Sequence, residues 1–163
     1  MTKAIVADTG PLIALAHIEL LSILPRLFNL IYIADAVVAE ATHDLSRPGA
    51  KAIAATLANN KFIRTRVDFD EDDHILYQLL DRGETESLIL AKQLDATILL
   101  DEKRARQIAA ARGIPVTGTA AIVVKAKQQR WIHSVKPLLE KLTTMGYRLS
   151  PALIQHALVL TGE

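Results

Sequence analysis

The 163-residue sequence contains no cysteine, which excludes thiol catalysis, cysteine-ligated zinc and disulfides. Aromatic residues are scarce, with one Trp, three Tyr and three Phe, while Ala, Leu, Ile and Val dominate an apolar half of the chain. That balance suits helices packed on a buried sheet better than an antiparallel sandwich. No apolar run approaches the ~20 residues of a membrane span, and the one near the N-terminus is too short for a signal peptide. A cytoplasmic protein without membrane association is expected. His17, His43, His74, His133 and His156 lack any H-E-x-x-H spacing, so they do not suggest a zinc site.

Charge of one sign is also lacking in total but not in distribution, for the net charge is only +1. Residues 1–100 hold nine Lys and Arg against fourteen Asp and Glu, whereas residues 101–163 hold ten against four. An acidic pocket bordered by a surface that attracts a polyanion fits this division, as do ordinary solvated helix faces. The length is that of one domain, which buries roughly 70% of its unfolded surface. Residues 1–163 are therefore expected to form a single domain, with a core over about 3–120 and a helical tail over about 121–163.

Apolar runs alternate with helical periods along the chain. Strands are expected at Lys3–Ala7, Leu30–Ala34, Phe62–Val67, Thr97–Leu100 and Ile114–Thr117. Short helices follow the first strand at Leu12–Ala16 and at Leu20–Phe28, the second bent or stopped by Pro25. Asp35 is placed to cap a helix running to about His43, and Ala50–Ala58 forms another. The acidic run Asp68–Asp73 suits the start of a helix over His74–Leu80, where the macrodipole favours negative charge. It has neither the glycine turn nor the terminal glutamate of a calcium loop. A helix begins at Arg82, another runs to about Arg112 before Gly113, and a third covers Ala120–Gln129. The tail reads as helices over Ile132–Met145 and Pro151–Leu160, the latter capped by Ser150. Strands alternating with helices imply parallel crossovers and a helix layer on each face of the sheet.

Two of these strands run straight into a carboxylate: Asp8 after Ala4–Ala7 and Asp101 after Thr97–Leu100. In an open parallel sheet, ligands bind beyond the carboxyl ends of the strands, and two oxygen ligands there suggest a hard divalent cation. The arrangement requires the first and fourth strands to be neighbours. Glu40 lies among Val37, Val38, Ala39 and Ala41, where an inward charge would be costly unless bound or paired. Glu84 and Glu86, two residues apart on one helix, cannot face the same way. Glu86 is taken as the inner ligand and Glu84 as a second ligand or its support. Each acid also has a plain structural role available: an Asx turn for Asp8, a solvent-facing position for Glu40, first-turn acids for Glu84 and Glu86, and a helix cap for Asp101.

In order, VADTGPLIAL, VVAEA, RGETESLILA, ATILLDEKRAR and PVTGT resemble the PIN-domain family of metal-dependent ribonucleases. The RGE-x-E pattern and helical tail are most similar to a branch related to VapC-type toxins. The resemblance covers roughly residues 3–120 and implies a three-layer α/β/α fold with a central parallel sheet, here with extra C-terminal helices. It implies a Mg²⁺ or Mn²⁺ site in which Asp8, Glu40, Glu86 and Asp101 match the family's four acids. Thr9 and Thr119 match hydroxyl positions that often line such sites. The third acid is commonly aspartate in the toxins, whereas this chain has glutamate with a second glutamate beside it.

The reaction this implies is hydrolysis of RNA phosphodiester bonds, with Lys103, Arg104 and Arg106 available to flanking phosphates or simply exposed on a helix. A small antitoxin is the implied protein partner. A non-catalytic PIN-like module binding RNA or protein is the competing reading. A receiver domain fits less well because Gly118 and Thr119 follow the fifth strand where it would have lysine, and an aspartyl phosphatase would want an acid at Gly10. Leu138, Leu139, Leu142, Leu153, Leu158 and Leu160 make the tail apolar enough for core packing or for a homodimer contact.

Overall fold

The computed structural model describes residues 2–163. Five parallel strands form one sheet: β1 (Thr2–Ala7), β2 (Phe28–Ala34), β3 (Phe62–Thr65), β4 (Thr97–Leu99) and β5 (Val116–Thr117). Their order is β3-β2-β1-β4-β5, so the first and fourth strands are neighbours. Val6 pairs with Ile98 and Ala7 with Leu99, and the Asp8 amide extends the ladder to the Leu99 carbonyl at 3.1 Å. Both strands therefore end at the same level, and the switch in strand order falls between them.

Among the described residues, ten α-helices flank this sheet in an α/β/α arrangement. They are α1 (Thr9–His17), α2 (Leu24–Leu27), α3 (Asp35–Thr42), α4 (Ala50–Thr56), α5 (His74–Leu79), α6 (Arg82–Gln93), α7 (Lys103–Ala111), α8 (Thr119–Gln128), α9 (Lys136–Thr144) and α10 (Pro151–Thr161). The central strands carry near-continuous apolar sequence because both of their faces are covered; Ile5, Ile31, Ile33, Ile98 and Leu99 are essentially inaccessible to water. Helix α6 packs on β1, β2 and β4 and also against α3. No single helix among the described residues is long and apolar enough to cross a membrane.

Several local expectations change. Asp35 is the first residue of α3 rather than its cap, and Ala34 takes the extended N-cap position. Its carboxylate instead accepts a 2.6 Å bond from Arg64 Nε on β3, because a charged partner on the neighbouring element competes with the local amides. The Leu20–Phe28 helix is a 3-10 turn at Leu21–Ile23 followed by the single turn of α2, with Pro25 in that turn. Phe28 already belongs to β2. The outer strands are shorter than their apolar runs: β3 stops at Thr65, and β5 keeps only Val116 and Thr117. Gly113 ends the α7 turn with a φ of +71°, a conformation glycine adopts without steric cost.

The tail joins the same apolar interior. Leu139, Leu142 and Leu158 are buried, whereas Leu153 and Leu160 stay exposed at 40% and 51%. Helix α10 packs on α8 and α9. The Glu163 side chain clasps the start of α9, accepting from Ser134 Oγ, from the Val135 amide at 2.7 Å and from the Lys136 amide at 3.3 Å.

Candidate active site

Asp8 stands at the end of β1 with only 5% of its surface exposed. Its carboxylate gives no side-chain cap to α1, so the Asx-turn role does not account for it. Ser87 Oγ donates to its Oδ1 at 3.3 Å. Burial is the main reason its pKa is pushed up to about 8; the charges of Glu84, Asp81 and Glu40 act in the same direction, and the Thr9 amide pulls the other way. A carboxylate this poorly solvated, facing other acids, gains from any cation that enters.

Helix α6 delivers the facing acids. Asp81 caps it by accepting from the Glu84 amide at 2.8 Å, while Glu84 reaches back to the Asp81 amide at 3.2 Å. This reciprocal capping box turns the Glu84 side chain toward the helix start and into the cleft above the strand ends. Burial and the nearby Asp81 both raise the Glu84 pKa. Glu86 points elsewhere. Although 4% exposed, it accepts from Arg82 Nε at 3.0 Å and does not line the cleft. The inner position expected for Glu86 is thus taken by Glu84, because two residues turn an α-helix by about 200°.

Glu40 also lies outside the cleft lining and ties three helices together. Thr9 Oγ1 on α1 donates to one of its carboxylate oxygens at 2.7 Å, and the Gly83 amide on α6 donates to the other at 3.0 Å. A Cβ on Gly83 would stand 2.5 Å from Glu40 Oε2, so a side chain there would push the Glu40 carboxylate aside. Asp101 is held by the first turn of α8. Thr119 donates its amide to Oδ1 at 2.9 Å and its hydroxyl to Oδ2 at 2.5 Å. A further donor comes from the tail, the hydroxyl of Tyr147, which also bonds Oδ2.

Asp8, Asp81, Glu84 and Asp101 form the acidic end of a cleft of about 1170 Å³. Lys103, Arg106 and Arg148 edge it, and it continues between α7 and the tail over Ile114, Val116, Leu149 and Leu153. Of the three basic residues expected to meet phosphate, Lys103 lines the cleft freely. Arg106 spends one guanidinium nitrogen on the Leu100 carbonyl at 2.7 Å, and Arg104 is exposed outside the lining. Asp81, Tyr147 and Arg148 were not anticipated from the sequence. Asp81 carried a signal in the D-x-x-E spacing of a capping box, whereas nothing local marks a tyrosine 46 residues beyond Asp101.

Among the described residues, no three acidic or histidine side chains converge into a ready-made cation site. The donor set nevertheless fits one: every acidic group in the cleft offers hard oxygen, and Asp8 is desolvated and surrounded by like charge. Carboxylates at the ends of adjacent parallel strands under a helical cover define the class, a nuclease-type α/β/α domain. A family model described as DUF3368, PIN domain, matches residues 4–163, and the chain belongs to that PIN-domain family. PIN domains are generally nucleases and typically use divalent metals. The match takes in the C-terminal helices as well as the sheet. No curated protein matches the chain.

Proposed function

We propose that this protein is a metal-dependent endoribonuclease. The observation that supports it most is the placing of Asp8 and Asp101 at the ends of adjacent strands, with Glu84 facing them across one cleft. Asp8, Glu84 and Asp101 would hold Mg²⁺ or Mn²⁺, with Asp81 behind Glu84. When bound, such an ion supplies a water activated for in-line attack and neutralises charge developing on the scissile phosphate. The chain's own residues do the rest. Thr119 fixes the Asp101 carboxylate, Ser87 supports Asp8, and Glu40 with Thr9 keeps α1, α3 and α6 in register above the strand ends. Glu86 supports α6 through Arg82. Lys103 and Arg148 meet phosphates on either side of the scissile bond.

A cytoplasmic toxin restrained by a small antitoxin is the biological setting this reading favours. The test is cleavage of single-stranded and structured RNA with Mn²⁺, Mg²⁺ or chelator, beside Asp8→Asn and Glu84→Gln proteins of verified fold. Cleavage should need the cation and be lost in both variants. Absence of both cation binding and cleavage would instead favour a non-catalytic binding module.

A further inference from the structure

The contact between Tyr147 and Asp101 has no part in the cleavage chemistry above. A carboxylate has about four lone-pair positions, and Asp101 has three of them occupied. Its Oδ1 is turned toward the backbone ahead of α8: it accepts the Thr119 amide, and a Cβ on Gly118 would lie 2.7 Å from it. Its Oδ2 is turned toward α1. A Cβ on Gly10, two residues beyond Asp8, would stand 3.4 Å from Tyr147 Oη, so the phenol lies on the side of Asp101 that faces the β1 end. Both positions on that oxygen are filled, one by Thr119 and one by Tyr147.

The position of the tyrosine is built into the chain. Helix α9 ends in a Schellman motif, with the Tyr147 amide bonded to the Leu142 carbonyl at 2.9 Å, the Gly146 amide to the Thr143 carbonyl at 3.0 Å, and Gly146 at a φ of +85°. Three residues later Ser150 caps α10, its Oγ accepting from the Leu153 amide at 3.1 Å. Two capping motifs thus fix the backbone on both sides of Tyr147. The phenol itself is only partly buried.

We propose that Tyr147 is a tethered occupant of the cation site, holding the cleft-facing oxygen of Asp101 until an incoming divalent ion displaces it. This rests on the reading of Asp101 as a cation ligand. The C-terminal segment then sets the concentration of cation at which the site loads, and anything that draws the loop of residues 145–150 off the cleft lowers that concentration.

The experiment is Mn²⁺ binding to the full chain, followed by electron paramagnetic resonance, for the natural protein and Tyr147→Phe, with the metal-free melting temperature of each. Phenylalanine keeps the ring and removes only the donor. The variant should melt lower without metal, yet bind Mn²⁺ about tenfold more tightly, since a hydrogen bond to a charged group no longer has to be broken. A role in orienting Asp101 would move both in the same direction, so weaker binding in the variant overturns the proposal, as does unchanged binding. If neither protein binds Mn²⁺, the cation-site reading fails along with it. Should Tyr147→Phe not fold, Tyr147→Leu carries the same expectation.

Discussion

Asp8 has an unusual proton affinity for a carboxylate, and its consequence for stability has a definite sign. In the unfolded chain the group titrates near the ordinary carboxylate value of 3.8, and burial pushes it up to about 8 in the fold. Between these values the folded state holds a proton that the unfolded state has released, so stability falls as pH rises through the window and levels off above it. In chelator, the melting temperature should therefore drop from pH 4 to pH 8, by an equivalent of at most a few kcal/mol. Asp8→Asn should flatten that slope; an equally steep profile in the variant would remove Asp8 as its source. A second prediction separates the two glutamates of α6. Glu84 faces the acids and Glu86 faces Arg82. Glu84→Gln should reduce metal-dependent cleavage by about 100-fold or more, and Glu86→Gln by less than about tenfold, the lower end for a supporting residue. The reverse order would place the metal on the other side of the helix.

At the scale of elements, the same pair shows what the sequence could and could not say. Strand ends were legible because a buried parallel strand is a short apolar run, and a carboxylate after it marks its end without reference to anything distant. Helix rotation was not. Whether Glu84 or Glu86 faces the cleft depends on Asp81 capping the helix and on Glu40 drawing Gly83 close, the second a contact across 43 residues of sequence. The Asp35 side chain was not legible for a similar reason, since its partner Arg64 lies on strand β3, 29 residues away. Glu40 joins three helices through two hydrogen bonds to one carboxylate. Removing it as Glu40→Ala should cost about 1 kcal/mol, below the usual range for bonds to a charged group because the residue is largely exposed. Denaturant unfolding would read this as a lower midpoint at an unchanged slope. At the other end of the chain, hydrogen bonds from Ser134 and from the Val135 amide hold the Glu163 carboxyl down at about 2. Its support for α9 is present above its unfolded pKa near 4.5 and disappears as pH falls toward 2. Hydrogen exchange at the start of α9 should thus be faster in Glu163→Gln than in the natural protein at pH 6, with the difference closing at low pH.

Across the whole molecule, the acidic first part and basic last part of the sequence meet at the cleft. Asp8, Asp81 and Glu84 come from one part, and Lys103, Arg106 and Arg148 from the other. The sequence showed this imbalance but not that the tail folds back to supply the basic edge, because Arg148 lies in the loop between α9 and α10, whose place is set by packing on the rest of the fold. If RNA runs along that edge, its affinity falls with salt in proportion to the phosphates neutralised, and each basic contact removed reduces the slope of log affinity against log salt by about 1. Lys103→Ala and Arg148→Ala should each show such a reduction in RNA binding without altering Mn²⁺ affinity. Arg104→Ala should leave the slope almost unchanged, since Arg104 is on the same helix as Lys103 but outside the cleft. Equal effects from Lys103 and Arg104 would mean that α7 meets RNA along its outer face, and the path of the strand would then have to be drawn over the helix rather than through the cleft beside the tail.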